Sequence, residues 1–124
     1  MDYKGLLAYQ KGFELAMEIF FLSKSFPKEE KYSLTDQIRR SSRSVCACIG
    51  ESYRKRLYPA HFISKLSDSD MENSETQVWV DFAFECEYLD KEIHEKLSKK
   101  VKEVGKLLNY MILNPEKFGS KRIK

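Results

Sequence analysis

Three clusters of cations carry the binding chemistry that this sequence offers. Arg39, Arg40 and Arg43 fall within LTDQIRRSSRSV; Arg40 and Arg43 share a helical face at i,i+3, and Arg39 and Arg43 at i,i+4. Arg54, Lys55 and Arg56 follow further along the same stretch, and Lys96, Lys99, Lys100, Lys102 and Lys106 cover the polar side of a later one. Arrays of this kind bind phosphates, with a salt dependence set by counterion release. Arginine also grips phosphate through two parallel N–H donors. The clusters therefore predict contact with an RNA or DNA backbone, without base readout. The plainer alternative is solvated helix surface, with Glu92, Glu95 and Glu103 as local partners of the lysines. Only clustering supports a nucleic-acid partner, because 22 Lys+Arg against 19 Asp+Glu leaves a net charge of just +3.

Other chemistries lack their residues. A di-metal bundle site needs Glu-x-x-His pairs, but Tyr58 and Lys91 stand three positions before His61 and His94. The acids Asp68, Asp70, Glu72 and Glu75 are expected instead to pair with the arginines of the preceding segment, within the chain or across subunits. Cys46 and Cys48 form C-x-C rather than the C-x-x-C of redox or zinc sites; two apart on a helix, they point in different directions and read as small packing residues. No nucleophile elbow and no glycine-rich phosphate loop is present. The expectation is a protein without catalysis, metal or cofactor.

The elements that must position these residues read as four helices. From about residue 7 to 25, Leu15, Ile19, Leu22 and Phe26 form an apolar stripe that Phe13, Met17 and Phe20 widen. From about 28 to 56, Leu34, Ile38, Ser41, Val45, Cys48 and Ser52 keep the helical spacing, with Tyr32, Ile49 and Tyr53 beside them. This second segment is rich in small side chains, and Gly50 predicts close backbone approach. From about 60 to 88 the segment is polar in its centre and apolar nearly all round in VWVDFAFECEY. Val78, Trp79, Phe82 and Phe84 are therefore predicted to meet a second subunit, where buried aromatics are over-represented. From about 91 to 113, behind Asp90 as N-cap, Ile93, Leu97, Val101, Val104, Leu108 and Met111 form the cleanest stripe. Short connections make sequence neighbours antiparallel. The fold class is all-α, an up-down-up-down antiparallel four-helix bundle over residues 1–118, with 119–124 as a basic flexible tail.

A chain of 124 residues that is 42% hydrophobic and 33% charged is expected to fold as one domain rather than remain disordered. Three cysteines and no apparent secretory segment predict reduced thiols and a cytoplasmic location. The longest apolar runs fall well short of the roughly 20 residues that span a bilayer.

LLAYQKGFELA, FPKEEKYSLTDQIRRSSRSV, IGES and SETQ together resemble the small bacterial four-helix-bundle proteins often encoded in intervening sequences of large-subunit ribosomal RNA genes. FPKEEKYSLTDQIRRSSRSV is the most specific of these blocks. The chain departs from the family pattern at Tyr9, where tryptophan is usual, and at Cys46, where proline is usual. It also departs at Gly50 and Ser52, within an Ile-Ala-Glu-Gly pattern, and at Asn73, where glutamate is frequent; Glu75 matches. The resemblance implies a bundle that assembles into a homo-oligomeric ring of about five subunits. It also links the chain in fold to the accessory proteins of diversity-generating retroelements, which bind a reverse transcriptase and nucleic acid through basic surfaces. The combined expectation is a non-enzymatic ring-forming protein that binds nucleic acid or a nucleic-acid-processing protein. A structural or protein-binding scaffold is the alternative.

Overall fold

The computed structural model describes residues 2–123 and is helical throughout its regular structure. Helices α1 (Leu7–Ser23), α2 (Leu34–Arg54), α3 (Pro59–Glu85) and α4 (Lys91–Leu113) are supplemented by short 3-10 turns at Tyr3–Gly5, Lys28–Glu30 and Pro115–Phe118. Each helix packs against its sequence neighbours, and α1 also packs against α4, which closes the four-helix bundle. Helices α1 and α3 are diagonal, as are α2 and α4, so the outer faces of each diagonal pair point to opposite sides. The core runs through Leu15, Ile19, Ile38, Ile49, Phe62, Leu66, Val80, Leu97, Val104 and Leu108. No helix among the described residues is long and apolar enough to cross a membrane.

The second helix begins later than the sequence pattern predicts. Lys28–Glu30 is a 3-10 turn, and α2 starts at Leu34. The Ser33 side chain makes no capping bond to the helix backbone. The Glu30 carboxylate takes over that role, accepting from Leu34 N at 3.4 Å and from Ser33 Oγ at 2.6 Å. Tyr88 at the end of α3 donates its hydroxyl to the same carboxylate at 2.8 Å, which ties the α1–α2 connection to the opposite layer. The changed start puts Tyr32 outside the helix, where it is 85% exposed rather than beside the core.

Pro59 occupies the first turn of α3, where a missing N–H costs nothing. At the other end Tyr88 N donates to the Ala83 carbonyl and Glu87 N to Phe84, with Glu87 left-handed at φ 64°. This is the backbone pattern that stops a helix with an αL residue. Asp90 caps α4 as its sequence indicates, accepting from Ile93 N at 2.8 Å.

α2 is held by small groups. Ser69 Oγ of α3 donates to the Val45 carbonyl at 2.8 Å, and the hydroxyls of Thr76 and Ser41 meet at 2.9 Å. All three of these side chains are completely buried. Close approach between α1 and α2 occurs at Gly12, not at Gly50. A Cβ on Gly12 would stand 3.3 Å from Cys46 Sγ and 3.5 Å from Val45 Cγ1, whereas Gly50 faces the ring of Tyr3 at ordinary contact distance. Apolar width exceeds what two neighbours cover on α1: Phe13, Met17 and Phe21 are exposed, which corrects the placement of Phe13 and Met17 in the core stripe.

The start of the basic tail is anchored. Gly119 is left-handed, and Ser120 is buried, donating its hydroxyl to the Arg56 carbonyl at 2.8 Å. Lys124, the last residue of that tail, lies outside the described residues.

The seam at Gly12 makes a direct prediction. Gly12→Leu would force α1 away from α2 and lower unfolding stability by about 1–3 kcal/mol, the usual scale for overpacking. Urea denaturation measures it; an unchanged midpoint would show that α1 does not depend on this approach.

Candidate nucleic-acid interface

α2 turns its small residues inward, so its long cations must leave on the outer side. Arg40 and Arg43 are exposed there and Arg39 is half-buried. With Lys31, Tyr32, Thr35 and Asp36 they line a groove of about 530 Å3. The three arginines are not equally free. Arg39 Nε donates to Ser23 Oγ at 2.8 Å, and its guanidinium lies 4.8 Å from the Phe20 ring centre. Arg43 lies over the other part of that aromatic site, 5.6 Å from the same centre. Stacking on Phe20 pre-orients both planes without occupying all their N–H donors. Among the described residues the polar contacts of Arg40 are long, 3.4 Å to Gln37 and 3.9 Å to Glu75. Asp36 is the one carboxylate among the groove-lining residues.

Lys31 and Tyr32 belong to this surface and were not singled out for it by sequence reasoning. Lys31 Nζ sits 5.3 Å from the Tyr32 ring centre. The exposed Tyr32 ring thus lies among the cations that line the groove. The available signal was the KEEKYS stretch, whose 3-10 turn breaks the helical phase and frees Tyr32 from the apolar line.

The other cations do not join this groove. Arg54 and Lys55 lie at the far end of α2, both exposed. Arg56 serves the fold: its Nε donates to the Tyr53 carbonyl at 2.8 Å, its guanidinium stacks 3.7 Å from the Tyr53 ring centre, and Gly119 approaches it closely. Lys99, Lys102 and Lys106 are exposed on α4, diagonal to α2, and thus face another side of the molecule. Lys96 and Lys100 reach across to α1. Lys96 pairs with Glu18 at 3.2 Å, and Lys100 pairs with Glu14 at 3.4 Å and with Glu18. Glu103 likewise pairs across helices, with Lys11 at 3.4 Å. The local partners expected along α4 are therefore replaced by partners on α1, because i,i+4 pairing loses to acids brought alongside by packing.

The acids of α3 divide as well. Of Asp68, Asp70, Glu72 and Glu75, only Glu75 makes an ion pair with an α2 arginine among the described residues, at the long distance to Arg40. Glu75 also accepts from Trp79 Nε1 at 3.3 Å. Glu51 of α2 pairs instead with Lys65 of α3 at 3.0 Å. Among the described residues no cluster of three or more His, Cys, Asp or Glu side chains could hold a metal. Burial pushes the Cys46 thiol up to about 11, so it is an unreactive packing group. His94 engages Asp81 at 2.8 Å and stacks on Phe84, 4.4 Å between ring centres.

The aromatic end of α3 faces two ways. Val80 and Ala83 are in the core, Phe84 packs against α4 through His94, and Val78 and Phe82 are exposed with Trp79 partly so. Trp79 and Phe82, 6.0 Å apart between ring centres, line an apolar cleft of about 460 Å3.

The fold is an all-α four-helix bundle with charged outer faces. The chain belongs to the 23S rRNA-intervening sequence protein family, whose sequence profile matches residues 4–110. It is similar to a crystal structure from Bacteroides thetaiotaomicron described as a protein of unknown function from the S23 ribosomal protein family. The two share 32% identity, with a TM-score of 0.77 over 86% of this chain and 95% of that one. No protein of curated function matches.

The α1–α4 charge contacts make a pH prediction. Burial pushes the Glu18 carboxyl up, but hydrogen bonds from Lys100 and Lys96 outweigh it and hold its pKa below the ordinary value. A depressed folded-state pKa stabilises above the unfolded carboxylate value and is lost as pH falls through the folded value. Glu18→Gln should cost about 1 kcal/mol at neutral pH, with the difference from the parent closing at acid pH. Urea unfolding across that range tests it; a gap constant with pH would contradict the assignment.

Proposed function

We propose that this chain is a non-enzymatic binding protein that assembles with copies of itself and holds the phosphate backbone of RNA or DNA. The observation carrying the reading is the α2 groove, lined by Lys31, Arg39, Arg40 and Arg43 together with Asp36 and an exposed tyrosine, with Glu75 3.9 Å from Arg40. Stacked guanidiniums with spare donors suit phosphate oxygens, and Tyr32 suits a base face of any identity. Binding of this kind is sequence-tolerant and weakens steeply with salt. Arg54 and Lys55 extend the cationic line along α2, while Lys99, Lys102 and Lys106 offer a separate surface.

Self-assembly rests on two unpartnered apolar faces. α1 exposes Phe13, Met17 and Phe21, and α3 exposes Val78 and Phe82 beside Trp79. These helices are diagonal, so the two faces point apart. A contact joining the first face of one copy to the second face of the next is head-to-tail, and closes into a ring when the rotation permits. A ring of about five subunits would repeat the α2 cations around one axis and raise the local field. Phe84 is the exception to the predicted interface, because it is engaged within its own chain. A nucleic-acid-processing protein is the natural further partner of such a surface.

Arg40→Glu with Arg43→Glu should weaken binding to a single-stranded RNA oligonucleotide by about tenfold or more at low salt, read by fluorescence anisotropy. A folded double variant that retains full affinity would leave the scaffold alternative. Phe82→Glu, or Trp79→Ala, should lower the mass seen by light scattering towards that of one chain. Retention of the parent mass would remove that residue from the interface.

A further inference from the structure

The apolar cleft beside Trp79 and Phe82 adjoins the α2 groove, and Tyr32 lines both. Arg40 stands at the boundary. It reaches Gln37, a residue of the cleft wall, at 3.4 Å, and Glu75 at 3.9 Å. Glu75 in turn accepts from Trp79 Nε1 at 3.3 Å, which holds the indole close to that guanidinium. Three aromatic side chains line the cleft, and two of them are open to solvent, Tyr32 at 85% and Phe82 at 54%. The acid in the wall is already engaged. Glu30 accepts from Ser33 Oγ at 2.6 Å, from Leu34 N at 3.4 Å and from the Tyr88 hydroxyl at 2.8 Å. The cleft therefore suits a flat, neutral group, with the Gln37 amide able to meet its polar edge.

A nucleobase is such a group, and a strand whose phosphates lie on Arg39, Arg40 and Arg43 passes beside Tyr32. We propose that the cleft takes one unpaired base of the strand held on the α2 groove, against the rings of Tyr32 and Trp79, so that this surface selects single strands over duplex. The inference rests on the α2 reading and adds a selectivity to it. Phosphate charge still supplies the hold, whereas a paired base must leave its stack before it can offer a face to the protein. Val78 is not part of the cleft wall, so the outer stripe of α3 remains open to a neighbouring copy.

Trp79 is the only tryptophan of the chain, so its emission reports on the cleft. The test follows that emission, together with binding at low salt, as the full chain is titrated with three probes. These are oligothymidylate, an abasic strand of equal length and charge, and oligothymidylate paired with its complement. Oligothymidylate should quench Trp79 and bind about tenfold more tightly than the abasic strand, the scale of one stacked base. Neither the abasic strand nor the duplex should quench. Tyr32→Ala, at an exposed position, should weaken the intact strand about tenfold and leave the abasic strand unchanged. An abasic strand that binds as tightly as the intact one, or an intact strand that binds without moving Trp79, overturns the proposal and leaves the α2 reading standing. Equal loss of both strands in Tyr32→Ala also overturns it. Failure of either strand to bind at all overturns both readings. Trp79 emission that follows protein concentration and ignores every strand would give the cleft to a second copy, against the proposal.

Discussion

The whole arrangement depends on how tightly α2 is gripped by its neighbours. Its inner face carries Ser41, Ser42, Val45, Cys46, Ile49 and Ser52, all buried. These side chains are short, so neighbouring helices approach closely and few long residues fit. The hydroxyls are satisfied as they are buried, Ser42 by the Ile38 carbonyl at 2.8 Å and Ser52 by Ile49 at 2.7 Å. The contacts from Ser69 and Thr76 complete the seam towards α3. Each such bond contributes only about 0.5–1.5 kcal/mol net, but leaving a buried hydroxyl unpaired costs more than that. The pairings therefore select one register of α2 against α3.

That register decides where the charges go. With the inner face fixed, Arg40 and Arg43 have no place but the outside, and Arg39 is caught at the edge over Phe20. The bundle then sorts its cations by the company they keep. Those on the α1 side of α4 meet Glu14 and Glu18 and fasten two helices together. Arg56 fastens the C-terminal turn. On the outer faces of α2 and α4, Arg43, Lys99, Lys102 and Lys106 make no ion pair among the described residues, and Arg40 makes only the long one to Glu75.

Helices α1, α2 and α4 were legible because each has its own apolar period, whereas α3, polar in its centre and apolar nearly all round at its end, has none. α4 is the cleanest case: Asp90 before it and Asn114-Pro115 after it mark its ends, and the stripe from Leu97 to Met111 is buried as the spacing indicates. The start of α2 was not legible, because a 3-10 turn and a capping role for Glu30 depend on Tyr88 from the far end of α3. Close approach was expected where glycine interrupts α2, but it occurs at Gly12 against Cys46; a glycine in sequence does not say which helix comes near it. The candidate site was half legible. Arg39, Arg40 and Arg43 share the groove their spacing indicates, whereas Lys96 is engaged by Glu18 of α1, and Arg56 by Tyr53 three residues before it and by the C-terminal turn.

The central claim is that phosphate charge, rather than base identity or apolar contact, holds the partner on the α2 groove. The salt dependence of binding to a single-stranded RNA oligonucleotide addresses it most directly. A linear fall of log K with log salt is predicted, with a slope of about −2 if roughly three phosphates are neutralised by each groove. Affinity indifferent to salt would contradict the account.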